Sequence, residues 1–389
     1  MTKTKKVLVT LLATVMCFAF TPAMAFAEDE VAPAEGVASI EEVAATEEAA
    51  PVEGDASTQA INTWERLAGP NRIATMKAIV DEGWPGTASA VVVATSDNYP
   101  DALAASGFAG LLDAPIILTN PYDLSDEARE LIERLAPSRI FIVGGEGAIS
   151  GYVEDQLIGI EMSNGEYPDD VIRYGGNDRY ETANLLFEES VLSLGLGSEW
   201  GDLCVLVSGD SYADALSIAP WAYAGRYPIF LSNPHTGVDA ETKRVINNAW
   251  NDLEMVILIG GKNAVPDFVI GELGLKYGEY KRIAGEDRYQ TSAAVAAWGA
   301  DPLPSGPNTL NFENIFFATG ENFPDALAGG ALAGLRGHPM LLVDDTEAGH
   351  YGIEAIVEPK LYPLYGGYFL GGIEVLSEAL AERIEWAAS

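Results

Sequence analysis

Three pairs of carboxylates stand four residues apart: Asp97 with Asp101, Asp210 with Asp214, and Glu321 with Asp325. Each pair follows an apolar run and opens an Ala-rich stretch. The ends of parallel strands are where α/β folds place ligands. Two carboxylates there could hold a cation or act as general acid and base. Alternatively, Asp101, Asp214 and Asp325 cap helix N-termini or pair with an arginine. Arginines recur as well. Arg66, Arg173 and Arg282 are followed six residues later by Arg72, Arg179 and Arg288. Their planar forks could hold phosphate, carboxylate or sugar, or could make salt bridges between elements.

Other chemistries find little support. Gly209-Asp210-Ser211 resembles the opening of a serine-hydrolase motif, but Asn98 and Asn322 occupy the position of Ser211 in the sister copies. A serine without a fixed basic partner is inert. The three histidines, His235, His338 and His350, have no zinc spacing. Gly145-Glu146-Gly147 is half a dinucleotide fingerprint, yet Asn263 and Glu374 replace Gly147, so a tight turn explains the shared glycines better. Cys204 lies in an apolar run and reads as a buried strand thiol. No catalytic residue, metal site or cofactor is expected, apart from a divalent cation that could bridge carboxylates.

The elements that carry these residues repeat three times. Arg66 to Thr75 returns as Arg173 to Thr182 and as Arg282 to Thr291, at steps of 107 and 109 residues. That is the size of a module able to bury its own core. After the arginine motif and a short helical pattern comes an apolar run: Ala90–Ala94, Cys204–Val207 or Ile315–Ala318. Unalternated runs of this kind read as strands buried on both faces. A turn with the carboxylate pair follows, then a helix rich in Ala and Gly that can pack closely on a sheet. A second strand comes next (from Pro115, Pro228 and Pro339), ended in the first two copies by Asn120-Pro121 and Asn233-Pro234. Helices are expected from about Ser125 to Leu135 and from Asp239 to Trp250. A third strand closes each copy on Gly144-Gly145, Gly260-Gly261 or Gly371-Gly372. Strands alternating with helices give an α/β fold with parallel sheets. The third copy departs: it has Asp344-Asp345 after its second strand, and Pro359 and Pro363 damage its next helix.

Residues 1–27 read as an export signal, with Lys3, Lys5 and Lys6, an apolar stretch and Ala25-Phe26-Ala27. Residues 28–60 hold ten acidic residues and no Lys or Arg, a composition that favours a disordered linker. The formal net charge is -36. Such an excess argues against nucleic acid, whose phosphates need a basic footprint.

Together, Arg-x-[Ala/Gly]-Gly-x-[Asn/Asp]-Arg-[Ile/Tyr]-x-Thr, [Tyr/Phe]-[Pro/Ala]-Asp-Ala-Leu and an apolar strand ending in Gly-Gly resemble the type 2 cell wall binding repeat of Gram-positive surface proteins. The resemblance covers residues 66 to about 385. It implies three modules (61–172, 173–281 and 282–389) packed as a pseudo-threefold ring of small parallel-sheet α/β units. It also implies noncovalent attachment to an anionic secondary wall polymer of the teichoic acid class. Carried over to this sequence, the binding residues are Arg66, Arg72, Asp101, Arg173, Arg179, Asp214, Arg282, Arg288 and Asp325. With only signal and linker read outside the repeats, a secreted, non-catalytic anchor at the cell surface is expected. The rivals are a structural lattice protein and a wall-glycan hydrolase using the repeated carboxylates. An acidic surface opposes an anionic polymer. Arginines gathered in a groove between modules, or bridging cations, would resolve that conflict.

Overall fold

The computed structural model describes residues 63–249, 253–300, 309–360 and 362–389. The expected export signal and acidic linker lie outside the described residues, as does the end of the helix expected to reach Trp250. The first strand, β1 (Thr63–Leu67), leads into α1 (Arg72–Gly83) and β2 (Ala90–Thr95). A 3-10 turn (Pro100–Ala104) then runs into α2 (Ala105–Leu111), followed by β3 (Ile116–Thr119), α3 (Asp126–Leu135), β4 (Arg139–Val143), α4 (Gly151–Ile158) and β5 (Asp170–Tyr174). The second round comprises α5 (Arg179–Leu192), β6 (Leu203–Ser208), α6 (Tyr212–Gly225), β7 (Ile229–Ser232), α7 (Ala240–Ala249), β8 (Met255–Ile259), α8 (Phe268–Leu273) and β9 (Tyr280–Ile283). The third comprises α9 (Arg288–Ala300), β10 (Ile315–Thr319), α10 (Pro324–Arg336), β11 (Met340–Val343), β12 (Gly366–Leu370) and α11 (Glu378–Ala388). Where α3 and α7 stand in the first two rounds, the third has a 3-10 turn (Ala348–His350) and a π turn (Ile353–Val357), just before Pro359. Proline removes a helical donor and clashes with the preceding turn.

Each sheet has four parallel strands, and each takes its fourth strand from the arginine motif of the next repeat. The orders are β3-β2-β4-β5, β7-β6-β8-β9 and β11-β10-β12-β1. The last sheet is completed by the first strand, so the ring closes on itself at a seam between β12 and β1. Register repeats as faithfully as topology does: Ile142 pairs with Arg173, Leu258 with Arg282, and Phe369 with Arg66. The central strands β2, β6 and β10 are buried at every residue. Their unalternated apolar runs fit a strand covered on both faces.

The Ala/Gly-rich helices α2, α6 and α10 pack against one another around the pseudo-threefold axis. Small residues allow backbones to meet there. A Cβ on Gly110 would lie 2.1 Å from the Tyr223 carbonyl oxygen of α6. Above these helices, Tyr99, Tyr212 and Phe323 meet at the axis, with ring centroids 5.2, 5.9 and 6.4 Å apart. Three aromatics in tilted and edge-on contact add cohesion beyond their buried area.

Candidate functional site

The arginine motif starts a helix, and most of its letters serve that task. Asn71, Asp178 and Asp287 accept hydrogen bonds from the first free amides of α1, α5 and α9 at 2.9 Å. Such caps are worth about 1 kcal/mol each. The closing threonines, Thr75, Thr182 and Thr291, accept from the backbone N–H of Gly69, Gly176 and Gly285 at 3.0–3.1 Å. Both letters stood in the repeated pattern, but their capping role follows only once the helix starts are known.

The first arginines hold the wall of the site. Arg173 Nη1 donates to the Gly144 carbonyl at 2.9 Å, Arg282 Nη1 to Gly260 at 2.8 Å, and Arg66 Nη1 to Gly371 at 3.0 Å. Register explains this, because each glycine lies two residues beyond the strand residue that pairs with the arginine. Arg173 adds two bonds to Glu154 (2.8 and 2.9 Å), and Arg282 adds one to Asp267 (3.1 Å). Gly144, Gly260 and Gly371 all have φ between +105° and +114°. That region is open to glycine and strained for other residues. Behind each glycine sits the second carboxylate of a pair. A Cβ on Gly144 would approach Asp101 Oδ2 to 3.1 Å, one on Gly260 Asp214 Oδ2 to 2.4 Å, and one on Gly371 Asp325 Oδ2 to 2.7 Å.

The second arginines reach to the end of their own first strand. Arg72 Nη1 donates to the Ser96 carbonyl at 2.8 Å, and Arg179 and Arg288 donate to the carbonyls of Gly209 and Gly320. Arg179 also lies 3.7 Å from Asp210, and Arg288 stands over the Tyr212 ring. Each faces back toward the preceding sheet. Arg179 and Asp101 line one cleft of about 510 Å³, and Arg72 and Asp325 line another of about 430 Å³. The positive field of Arg288 reaches Asp214, and that of Arg72 reaches Asp325.

The structure thus separates the carboxylate pairs. Asp97, Asp210 and Glu321 are exposed at the strand ends, while Asp214 and Asp325 are 8% and 9% exposed. None of Asp101, Asp214 and Asp325 makes a side-chain cap; they sit in the first turn of their helices. Asp101 Oδ1 accepts from Thr182 Oγ1 of the next module at 2.8 Å. Burial pushes the Asp214 carboxyl up to about 6 and that of Asp325 up to about 7, with Arg288 and Arg72 opposing the rise. Asp325 Oδ1 is buried without a hydrogen-bond partner.

Among the described residues, no group of three or more His, Cys, Asp or Glu is placed to hold a metal ion, and no helix is long and apolar enough to cross a membrane. The Cys204 thiol is fully buried in β6 and pushed up to about 12 by desolvation. A nucleophile needs the opposite environment.

Comparison with known proteins follows the same threefold division. The profile of cell wall binding domain 2 (CWB2) matches residues 66–154, 173–270 and 282–381. The chain belongs to the CWB2 family. Cell wall binding is the function that membership carries, and it makes this a cell-wall or surface protein. Among curated relatives, the N-acetylmuramoyl-L-alanine amidase LytC of Bacillus subtilis (strain 168) is 26% identical over 285 residues, covering 73% of this chain and 51% of the amidase. The amidase enhancer of the same organism is 28% identical over 281 residues, covering 72% of this chain and 34% of the enhancer. The chain therefore spans about half the amidase and a third of the enhancer. Two solved structures share the fold. Cwp6 from Clostridium difficile superposes with a TM-score of 0.70 at 24% identity, over 87% of this chain and 51% of Cwp6. Cwp8 from the same organism does so at 0.67 and 23%, over 84% and 51%.

Proposed function

We propose that this CWB2 chain is a secreted, non-catalytic anchor that holds an anionic secondary polymer of the Gram-positive wall in the clefts between successive sheets. One observation carries the reading: the same junction recurs three times. Each sets a motif guanidinium (Arg72, Arg179 or Arg288) toward a carboxyl of the preceding module (Asp325, Asp101 or Asp214) at the C-terminal edge of a parallel sheet. Arg66, Arg173 and Arg282 contribute by fixing the glycine turn that forms the wall. Concentrating guanidinium groups in grooves answers the conflict between an acidic protein and an anionic polymer. A divalent cation bridging the exposed carboxylates to polymer phosphates would act in the same sense. Three sites of modest strength on one rigid ring attach firmly to a repeating polymer through effective concentration. The position of the carboxylates favours binding over hydrolysis. Asp101 is engaged by Thr182, and Asp214 and Asp325 lie behind glycine turns rather than as an open pair.

Cosedimentation of the purified chain with isolated cell walls tests the proposal. Walls stripped of secondary polymer by acid are run alongside, each with divalent cation and with chelator. Binding to intact walls alone is expected, and a chelator effect would identify the cation bridge. Equal binding to stripped walls, or binding to neither, would sink polymer anchoring. Release of wall fragments by the purified chain would overturn the non-catalytic reading.

A further inference from the structure

The three clefts differ in one respect that bears on what they bind. At the first junction Asp101 Oδ1 is satisfied by Thr182 Oγ1. At the seam, Asp325 is 9% exposed, borders the cleft, and its Oδ1 has no hydrogen-bond partner. A buried polar atom left unpaired is costly, so a native structure that keeps one calls for an explanation. The surroundings supply one. The cleft is lined by Asn71 and Arg72 from the start of α1, Asn322 and Phe323 from the start of α10, and Glu374 from the turn after β12. It thus offers one guanidinium, two amides, an aromatic wall and a carboxyl in search of a partner. The first cleft is more acidic, with Asp97, Asp101 and Asp178 set against Arg179.

We propose that the seam cleft is a subsite for a sugar bearing a phosphodiester, in which Arg72 takes the anionic oxygens and the protonated Asp325 carboxyl donates the hydrogen bond that no protein group accepts. This rests on the polymer-anchoring reading and assigns its anion recognition to one of the three clefts. The charged groups around Asp325 favour it. Arg72 on α1 is the cation, Glu374 beyond Gly371 and Glu321 before α10 are the anions, and Arg66 on β1 is turned to the far side of Gly371. An anionic ligand entering this set stabilises the neutral carboxyl, so binding takes up a proton. Burial already holds that carboxyl near neutrality at about 7.

The test is NMR titration of the whole chain, read at the backbone amides of Asn322, Asp325 and Glu374. The probe is the methyl phosphodiester of glucose 1-phosphate, whose single charge is constant across the pH range used. Methyl glucoside and dimethyl phosphate separate the sugar from the anion. The diester should bind roughly tenfold tighter at pH 6 than at pH 8, as uptake of one proton requires. Asp325→Asn should abolish that pH dependence, and Arg72→Gln should weaken binding by about tenfold or more at both pH values. Arg179→Gln, at the first cleft, should leave the seam signals unchanged. Thermal unfolding confirms that each variant is folded. Silent seam amides, or a pH dependence that survives Asp325→Asn, would overturn the assignment. Wall cosedimentation of wild-type protein separates the two ideas. If the chain sediments with walls while the seam stays silent, the subsite falls and anchoring stands; if it does not sediment, anchoring itself falls.

Discussion

Two of the three sheet junctions lie along continuous chain, whereas the seam joins strands from opposite ends of the ring. All three use the same arginine, the same glycine turn and the same register. What differs is how well the arginine is held. Arg173 makes short bonds to Glu154 from both Nε and Nη2, and Arg282 has Asp267 at 3.1 Å. Arg66 has only Glu378 at 3.9 Å, a side chain 69% exposed, and its buried Nη2 has no hydrogen-bond partner. It is held instead by the carbonyls of Gly371 and Leu376 and by the Phe369 ring. Arg173 and Gly144 are 29 residues apart, while Arg66 and Gly371 are 305 apart. Closing the longer loop costs about 2 kcal/mol more by chain-entropy scaling. The seam thus closes the longest loop with the weakest clamp and carries the orphaned carboxyl of Asp325. Local opening of the ring should start there.

The glycine turns offer the harshest way to break the comparison. Alanine at Gly371 would force a positive φ and set its Cβ 2.5 Å from Val375 Cγ2 and 2.7 Å from Asp325 Oδ2. At Gly144 the nearest atoms lie at 2.9 and 3.1 Å. Backbone strain of this kind costs about 1–3 kcal/mol, and overlap adds to it. Gly371→Ala should therefore lose more stability to urea than Gly144→Ala, and equal losses would show that the seam is no tighter than the other turns.

The arginines come next. Arg173→Ala strands Glu154 and the Gly144 carbonyl in a partly buried setting and should cost about 2–3 kcal/mol. Arg66→Ala should cost about 1–2 kcal/mol globally, but it should speed hydrogen exchange across β1 and β12 well before the rest of the ring. Uniform exchange in Arg66→Ala would remove the idea of a weak seam.

Much of this architecture was legible because it repeats. Buried strands announce themselves as unbroken apolar runs, and Gly-Gly after the third strand marks a turn that needs glycine. Pro359 and Pro363 foretold the irregular segment of the third module. The offset between sequence repeat and sheet was not legible. Nothing local in Arg173 says that its strand completes the previous sheet, because register is set by partners far away in sequence. The two arginine sets look alike on the page and separate only when Ile142 is seen opposite Arg173. The same limit hid the axis: Tyr99, Tyr212 and Phe323 occupy one motif position, but only threefold packing brings them together. Proton affinity was equally hidden, since Asp101, Asp214 and Asp325 share a motif and differ in burial.

Acidity sharpens the contrast between the seam and the chain-linked junctions. The Asp325 carboxyl rises to about 7 from an ordinary value near 3.8. A folded value above the unfolded one adds stability that is complete below about pH 4 and lost as pH climbs through 7. The loss is at most about 4 kcal/mol for Asp325, and less for Asp214, which rises only to about 6. Urea melts of wild type and Asp325→Asn should nearly coincide at pH 4 and diverge by about 1–3 kcal/mol in favour of the variant at pH 8. Asp214→Asn should diverge less and at lower pH. A constant gap across the range would mean that Asp325 stays charged in the folded ring.

The smallest expected effect concerns the axis. Tyr99 donates its hydroxyl to the Asp210 carbonyl at 3.2 Å, and Tyr212 donates to that of Glu321 at 2.7 Å, each bond stitching one module to the next. At the seam the corresponding residue is Phe323, which has no hydroxyl, so the bond toward Asp97 is missing. Phe323→Tyr adds one donor where the two sister copies show how it is used. A hydrogen bond of this type contributes about 0.5–1.5 kcal/mol, less the cost of fitting the extra atom beside two packed rings. A gain of about 0.5 kcal/mol, with slower exchange across β1 and β12, would show that the seam is weak partly because this bond is absent. A loss would show that the seam has repacked around phenylalanine and that threefold symmetry at the axis ends with the rings.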